Sequence, residues 1–293
     1  MLADIRDRDT LSKELHSFKP DFVFHLAAQP LVRRSYEVPA ETFEVNVSGT
    51  ANLLEAISQL EHKCTSVIIT TDKVYKNLED GVPLSEDAPL GGHDPYSASK
   101  ACAELVVDCF RKSFFQSNDF MKYQKPVSAA RAGNVIGGGD WSKDRIIPDI
   151  IRALEKGAEI EVRNPSSIRP WQHVLEPICG YLQLAMLMDQ SPQQYSDAYN
   201  FGPFPGDHLT VGELVEKAIA LWGRGAWRDV SDLHQPHEAG LLKLDISKAI
   251  KELRWQPRLN AETAIKWTID WFKQPRGEKV QFTFQQIKDY QTL

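Results

Sequence analysis

Cysteine is scarce: Cys64, Cys102, Cys109 and Cys179 include no CxxC pair and no spacing that suits a metal. Neither a zinc site nor a disulfide framework is supported, and four reduced thiols in a cytoplasmic protein are expected. His234 and His237 of HQPH lack a nearby Cys or carboxylate set, so they read as loop residues and no metal is predicted. No apolar run approaches the roughly 18 residues of a membrane span, and the N-terminus lacks a signal peptide's basic start and apolar middle. Excess positive charge is missing too. With 34 Lys and Arg against 40 Asp and Glu, the net charge is -6. General nucleic-acid binding is disfavoured, because clustered cations supply most of that affinity.

What remains is an ordinary globular composition, 42% hydrophobic and 25% charged, in a chain long enough for one large domain or two smaller ones. TLSKELHSF reads as an amphipathic helix, and DFVFHLAA (21–28) as a buried strand running into small residues. Apolar spacing over ETFEVNVSGTANLLEAISQL predicts a helix, and SVIITT a β-branched strand. After a loop from Asn77 to Pro95, a helix is expected near Tyr96 and a strand in PVSAARAGNV. Such alternation implies a parallel sheet with helices on both faces. Beyond Gly137 the pattern loosens, with helices predicted over Ile146–Lys156, Leu175–Met188, Val211–Trp222, Ser247–Leu253 and Ala261–Phe272. The last residues, QFTFQQIKDYQTL, have no clear period.

Doubly wound dinucleotide-binding domains usually open with a strand, a glycine-rich turn and a helix that holds pyrophosphate. No GxGxxG or GxxGxxG precedes Asp21, and GGGD at Gly137–Asp140 comes too late. The expected fold is therefore α/β and Rossmann-like, with its first strand and glycine-rich loop missing. Residues 1–136 would form the truncated NAD-binding domain. Residues 137–293 would form mainly a smaller substrate-binding lobe, with some segments returning to the first domain.

Two groups of residues carry candidate chemistry. Tyr96 and Lys100 are four apart on a predicted helix and share a face; a nearby ammonium favours the tyrosinate. Alone, such a pair is common enough to be ordinary helix surface. Thr71, Asp72 and Lys73 follow a strand end, where ligands gather in open α/β sheets. They bring together a hydroxyl, a carboxylate and an amine for hydrogen bonding and acid–base work. A polar capping turn is the bland alternative.

HLAA, TTDKVY and DPYSASKACAEL occur in the order and spacing of the extended short-chain dehydrogenase/reductase family, which the chain resembles. AAQPLVRRSY, TTDKVYKN, LGGHDPYSASKACAEL, RAGNVIGGGDW and RPWQHVLEP are similar to its CDP-glucose 4,6-dehydratase subgroup. Lys73 stands where the related dTDP-glucose enzymes have Glu. The resemblance implies a closed redox cycle: bound NAD takes hydride from sugar C4, water leaves across C5 and C6, and hydride returns to C6. Tyr96 would take the C4 hydroxyl proton, Lys100 would hold the tyrosinate and the nicotinamide ribose, and Thr71 would position the sugar. Asp72 would be the acid for the leaving hydroxyl, with Lys73 a base or an electrostatic group.

By the same resemblance, Asp4 and Ile5 flank the adenine, while Leu26, Ala27, Ala28 and Gln29 line the cofactor cleft. Asn46 would face the active site or be an ordinary polar helix residue. Arg169 suits a diphosphate through its planar fork, and Asn134 would bond near the phosphate or sugar. Ser35, Arg145 and His173 are further substrate candidates with surface or capping alternatives. The implied partners are CDP-glucose or another nucleotide-sugar and a second copy, paired through helices around Asn46 and Ala98. Neither nucleic acid nor membrane is an expected partner. An epimerase of the same family, or a catalytically silent truncated homologue, are the competing readings.

Overall fold

Side chains that alternate between faces organise the centre of the molecule. The strand β1 (Phe22–His25) pairs in parallel with β2 (Thr65–Ile69), and β2 pairs in parallel with β3 (Val127–Ala132). On one face, Val67, Ala130 and Ala132 pack with Tyr181, Leu184, Ala185 and Met188 of the helix Leu175–Gln190. On the other, Ile68, Val127 and Ala129 join Leu53, Leu54 and Ile57. The computed structural model describes residues 3–115, 124–232 and 242–293; His234 and His237 lie outside the described residues.

The first helices are α1 (Arg8–Phe18), α2 (Val32–Glu37), α3 (Pro39–Phe43) and α4 (Gly49–Ser58). A π-helical turn, Glu44–Ser48, joins α3 to α4. The helix α5 (Pro95–Phe110) links β2 to β3 in sequence. Short strands follow: β4 (Val135–Ile136), β5 (Ile160–Val162), β6 (Ile168–Arg169) and β7 (Gln172–His173). The chain then returns to the main sheet as β8 (Ala198–Phe201), giving the order β1-β2-β3-β8, parallel throughout. This is the expected Rossmann-like α/β sheet.

A separate core forms around helix Ile146–Lys156, whose Ile147, Ile150, Ile151 and Leu154 make one apolar stripe. It packs with Leu214, Val215 and Ala218 of helix Val211–Trp222 and with Ala264, Ile265 and Ile269 of helix Ala261–Lys273. The unreadable C-terminus is a helix, Lys279–Gln291. Its Tyr290 hydroxyl donates to the buried Glu176 carboxylate at 2.7 Å, anchoring it. Because the main strands are parallel, the segments after His25, Ile69 and Ala132 emerge along one edge of the sheet.

Candidate active site

Beyond β2 the chain turns sharply. Thr71 caps the short 3-10 turn Asp72–Val74: its hydroxyl accepts from the Lys73 amide at 3.3 Å and donates to Asp72 Oδ1 at 2.9 Å. Asp72 is buried, and its Oδ2 accepts from Asn134 Nδ2 at 3.2 Å. Asn134 adopts the left-handed region, φ 52°, a conformation Asn tolerates better than most residues. Its neighbour Gly133 must be glycine for a steric reason. A Cβ there would lie 1.9 Å from Asp72 Oδ2.

The helix α5 starts with Asp94, which accepts from the Ser97 amide at 2.9 Å, followed by Pro95 in the first turn. This fixed start presents Tyr96 and Lys100, both buried, one turn apart. Burial pushes the Tyr96 phenol up to about 12, opposed by hydrogen bonding with the Thr71 side chain. Burial pulls the Lys100 ammonium down to about 8, opposed by the Glu104 carboxylate. Lys100 Nζ donates to Ile69 O at 3.1 Å, so its ammonium rests on the strand end; the resemblance implied that it would hold the tyrosinate and the nicotinamide ribose.

Thr71, Asp72, Lys73, Tyr96, Asn134, Arg145 and Arg169 all line one cavity of about 380 Å³. Its wall also includes Arg33, Arg163, Trp171 and Tyr181, which sequence reasoning did not select. Four guanidiniums and Lys73 line it together with Asp72, Asp140, Asp144, Asp149 and Glu161; Arg163 is tied to Asp144 at 2.7 Å and Arg145 to Asp140 at 3.5 Å. A neighbouring cavity of about 520 Å³ is lined by Asp4, Ile5, Ala27, Ala28 and Gln29. Pro30 and Leu31 belong to both walls.

Five predicted residues are not in these walls: Lys100, whose Nζ is turned to Ile69 O, and Leu26, Ser35, Asn46 and His173. Leu26 is largely exposed. Ser35 is fully buried and spends its hydroxyl on protein: it donates to Val32 O at 2.6 Å and accepts from the Tyr96 amide at 3.1 Å. Asn46 is likewise consumed. Its Oδ1 accepts from the Gln29 amide at 2.8 Å, and its Nδ2 donates to Gln29 O at 3.1 Å and to Ser99 Oγ at 2.9 Å. His173 is buried edge-on to Trp267, with Nδ1 accepting from the Leu175 amide at 3.4 Å.

This arrangement, a tyrosine and a carboxylate on either side of one threonine in a cavity that also holds four guanidiniums, is suited to acid–base chemistry. A CDP-glucose 4,6-dehydratase of Salmonella typhimurium is 46% identical over 291 residues, covering 99% of this chain and 81% of that protein. A UDP-glucose 4-epimerase of Mycoplasma pneumoniae is 25% identical, covering 87% of this chain and 77% of its own. Among solved structures, a dTDP-glucose 4,6-dehydratase double mutant from Streptomyces venezuelae, with NAD bound, superposes with a TM-score of 0.76. It is 24% identical, covers 96% of this chain and 81% of its own, and speaks to the fold. The family model described as GDP-mannose 4,6 dehydratase matches residues 1–268; the chain belongs to this family, within the extended short-chain dehydrogenases.

Proposed function

We propose that the protein is a nucleotide-sugar 4,6-dehydratase that uses NAD to convert CDP-glucose to CDP-4-keto-6-deoxyglucose and water. The observation that carries this reading is the convergence of Tyr96, Thr71, Asp72 and Lys73 on one cavity, in a chain 46% identical to a CDP-glucose 4,6-dehydratase. A 4-epimerase needs the tyrosine but has no water to expel. The Asp72–Lys73 pair therefore favours dehydration, and the choice of CDP rests on the relative.

The cavity beside Ala27 and Ala28 suits NAD, since small side chains let a cofactor approach the strand end. When bound, NAD supplies a reversible store for the hydride taken from C4 and returned at C6. Tyr96 accepts the C4 hydroxyl proton in its ionised, tyrosinate form. Lys100, whose ammonium donates to Ile69 O, would hold the cofactor ribose when NAD is bound. The resulting 4-ketone acidifies the C5 hydrogen, which Lys73 removes in its neutral form, and Asp72 protonates the departing C6 hydroxyl. Protons balance within the site: one leaves O4, one is needed for water, and the C5 proton is replaced.

Arg169 and Arg145 pair with the diphosphate, and Asn134 orients Asp72. The reduced thiols fit a cytoplasmic enzyme. A homodimer would bury the exposed Phe43 and Leu105 of α3 and α5. We read residues 137–293, apart from β8 and the helices packed on the main sheet, as the substrate lobe. The test is incubation with NAD and CDP-glucose, with mass spectrometry of the sugar nucleotide. Loss of one water supports the reading; a 4-epimer of unchanged mass replaces it with the epimerase.

A further inference from the structure

The turn that carries Asp72 and Lys73 is held at both ends by a buried ion pair that does not line the cavity. Tyr96, Lys100 and Glu104 form one row along α5, four residues apart, and therefore project from one helix face. Each engages the end of β2: Tyr96 at Thr71, Lys100 at Ile69 O, and Glu104 at Thr70, whose hydroxyl donates to Oε1 at 2.5 Å. Glu104 is locked in turn by Arg131 of β3. The guanidinium donates Nε to Oε1 at 2.9 Å and an η nitrogen to Oε2 at 3.0 Å, the two-pronged geometry that fixes orientation as well as charge.

Arg131 also reaches past the turn. Its other η nitrogen donates to the Tyr75 hydroxyl at 2.8 Å, and Tyr75 donates to Asn200 Oδ1 of β8 at 2.6 Å. Thr70 and Tyr75 are thus gripped by opposite members of the same pair, with Thr71, Asp72, Lys73 and Val74 between them. Both gripping side chains, the two they grip and Asn200 are buried.

We propose that Glu104 and Arg131 are positioning residues of the catalytic centre, bracketing the Thr71–Val74 turn so that Asp72 and Lys73 stay aligned with Tyr96. The kinetic consequence rests on the dehydratase reading; the mechanical consequence does not. Losing the bracket shifts the acid and amine relative to the sugar, and a displacement of about 1 Å at such a site costs up to roughly a hundredfold in rate.

Two variants test this. Glu104→Gln removes one charge, while Glu104→Gln combined with Arg131→Met removes both and leaves no unpaired buried ion, which protects folding. Amide hydrogen exchange over residues 70–76 is expected to accelerate about tenfold in the folded double variant. Turnover of CDP-glucose should fall roughly tenfold to a hundredfold, with NAD affinity and KM retained. Unchanged exchange overturns the proposal, as does faster exchange with full turnover. If the parent protein forms no product from CDP-glucose, the dehydratase reading fails, and exchange alone decides whether the bracket exists.

Discussion

The hydroxyl of Thr71 donates to Oδ1 of Asp72 across 2.9 Å, and the same side chain hydrogen-bonds with Tyr96. One threonine therefore bridges the group that takes the C4 proton and the group that gives a proton to the departing water. Thr71→Val should reduce dehydration by about a hundredfold, while Thr71→Ser, which keeps the hydroxyl, should remain within several-fold of the parent. Steady-state rates for the two variants check this, and equal losses would assign the effect to packing.

Gly133 makes a purely steric prediction. An alanine Cβ would overlap the Asp72 carboxylate, so Gly133→Ala should displace the acid and lower turnover by roughly a hundredfold. NAD binding, in the neighbouring cavity lined by Ala27 and Ala28, should survive. Calorimetry alongside kinetics separates the two effects.

Acid should destabilise the fold through two buried imidazoles. Burial holds both His25 and His173 down at about 4, with the Lys100 charge adding to the effect at His25. Unfolded histidine titrates near 6.5, so between these values the unfolded chain binds more protons and stability falls as pH falls. The associated stability is fully present above about 6.5 and is lost progressively towards 4, by about 2 kcal/mol per histidine at pH 5. Denaturant midpoints at pH 8 and pH 5 should show the loss. His173→Gln should shrink it; an unchanged pH dependence would remove His173 as a cause.

Ser35 should affect stability and rate without affecting substrate affinity. Its hydroxyl caps the Tyr96 amide from a neighbouring helix, so Ser35→Ala should cost about 1 kcal/mol and lower kcat several-fold. A selective rise in KM for CDP-glucose would instead restore a direct substrate contact.

Strong local patterns made much of this legible. Helices Ile146–Lys156 and Val211–Trp222 match their predicted bounds, because each pairs an apolar stripe with clear end signals. Gly157 closes the first in the left-handed region, and Thr210 with Glu213 forms a capping box for the second. Helix Lys279–Gln291 was obscure because only Gln286 and Tyr290 are buried on it. The residues after β2 and on α5 were readable as a site because strand ends and helical spacing put them together. Asn46 and Ser35 looked like ligand contacts because polarity in sequence does not disclose whether a partner is protein. The Glu104–Arg131 pair gave no local signal at all: its members are 27 residues apart on different elements, and only the closed sheet joins them.

The most direct test compares the parent with Asp72→Asn, each incubated with NAD and CDP-glucose, by mass spectrometry of the sugar nucleotide and calorimetric titration of both ligands. The account predicts that the parent forms the dehydrated 4-keto product, whereas the variant binds both ligands and forms almost none. Undiminished dehydration by Asp72→Asn would contradict the acid role of Asp72, and a parent that binds both ligands yet expels no water would contradict the dehydratase itself.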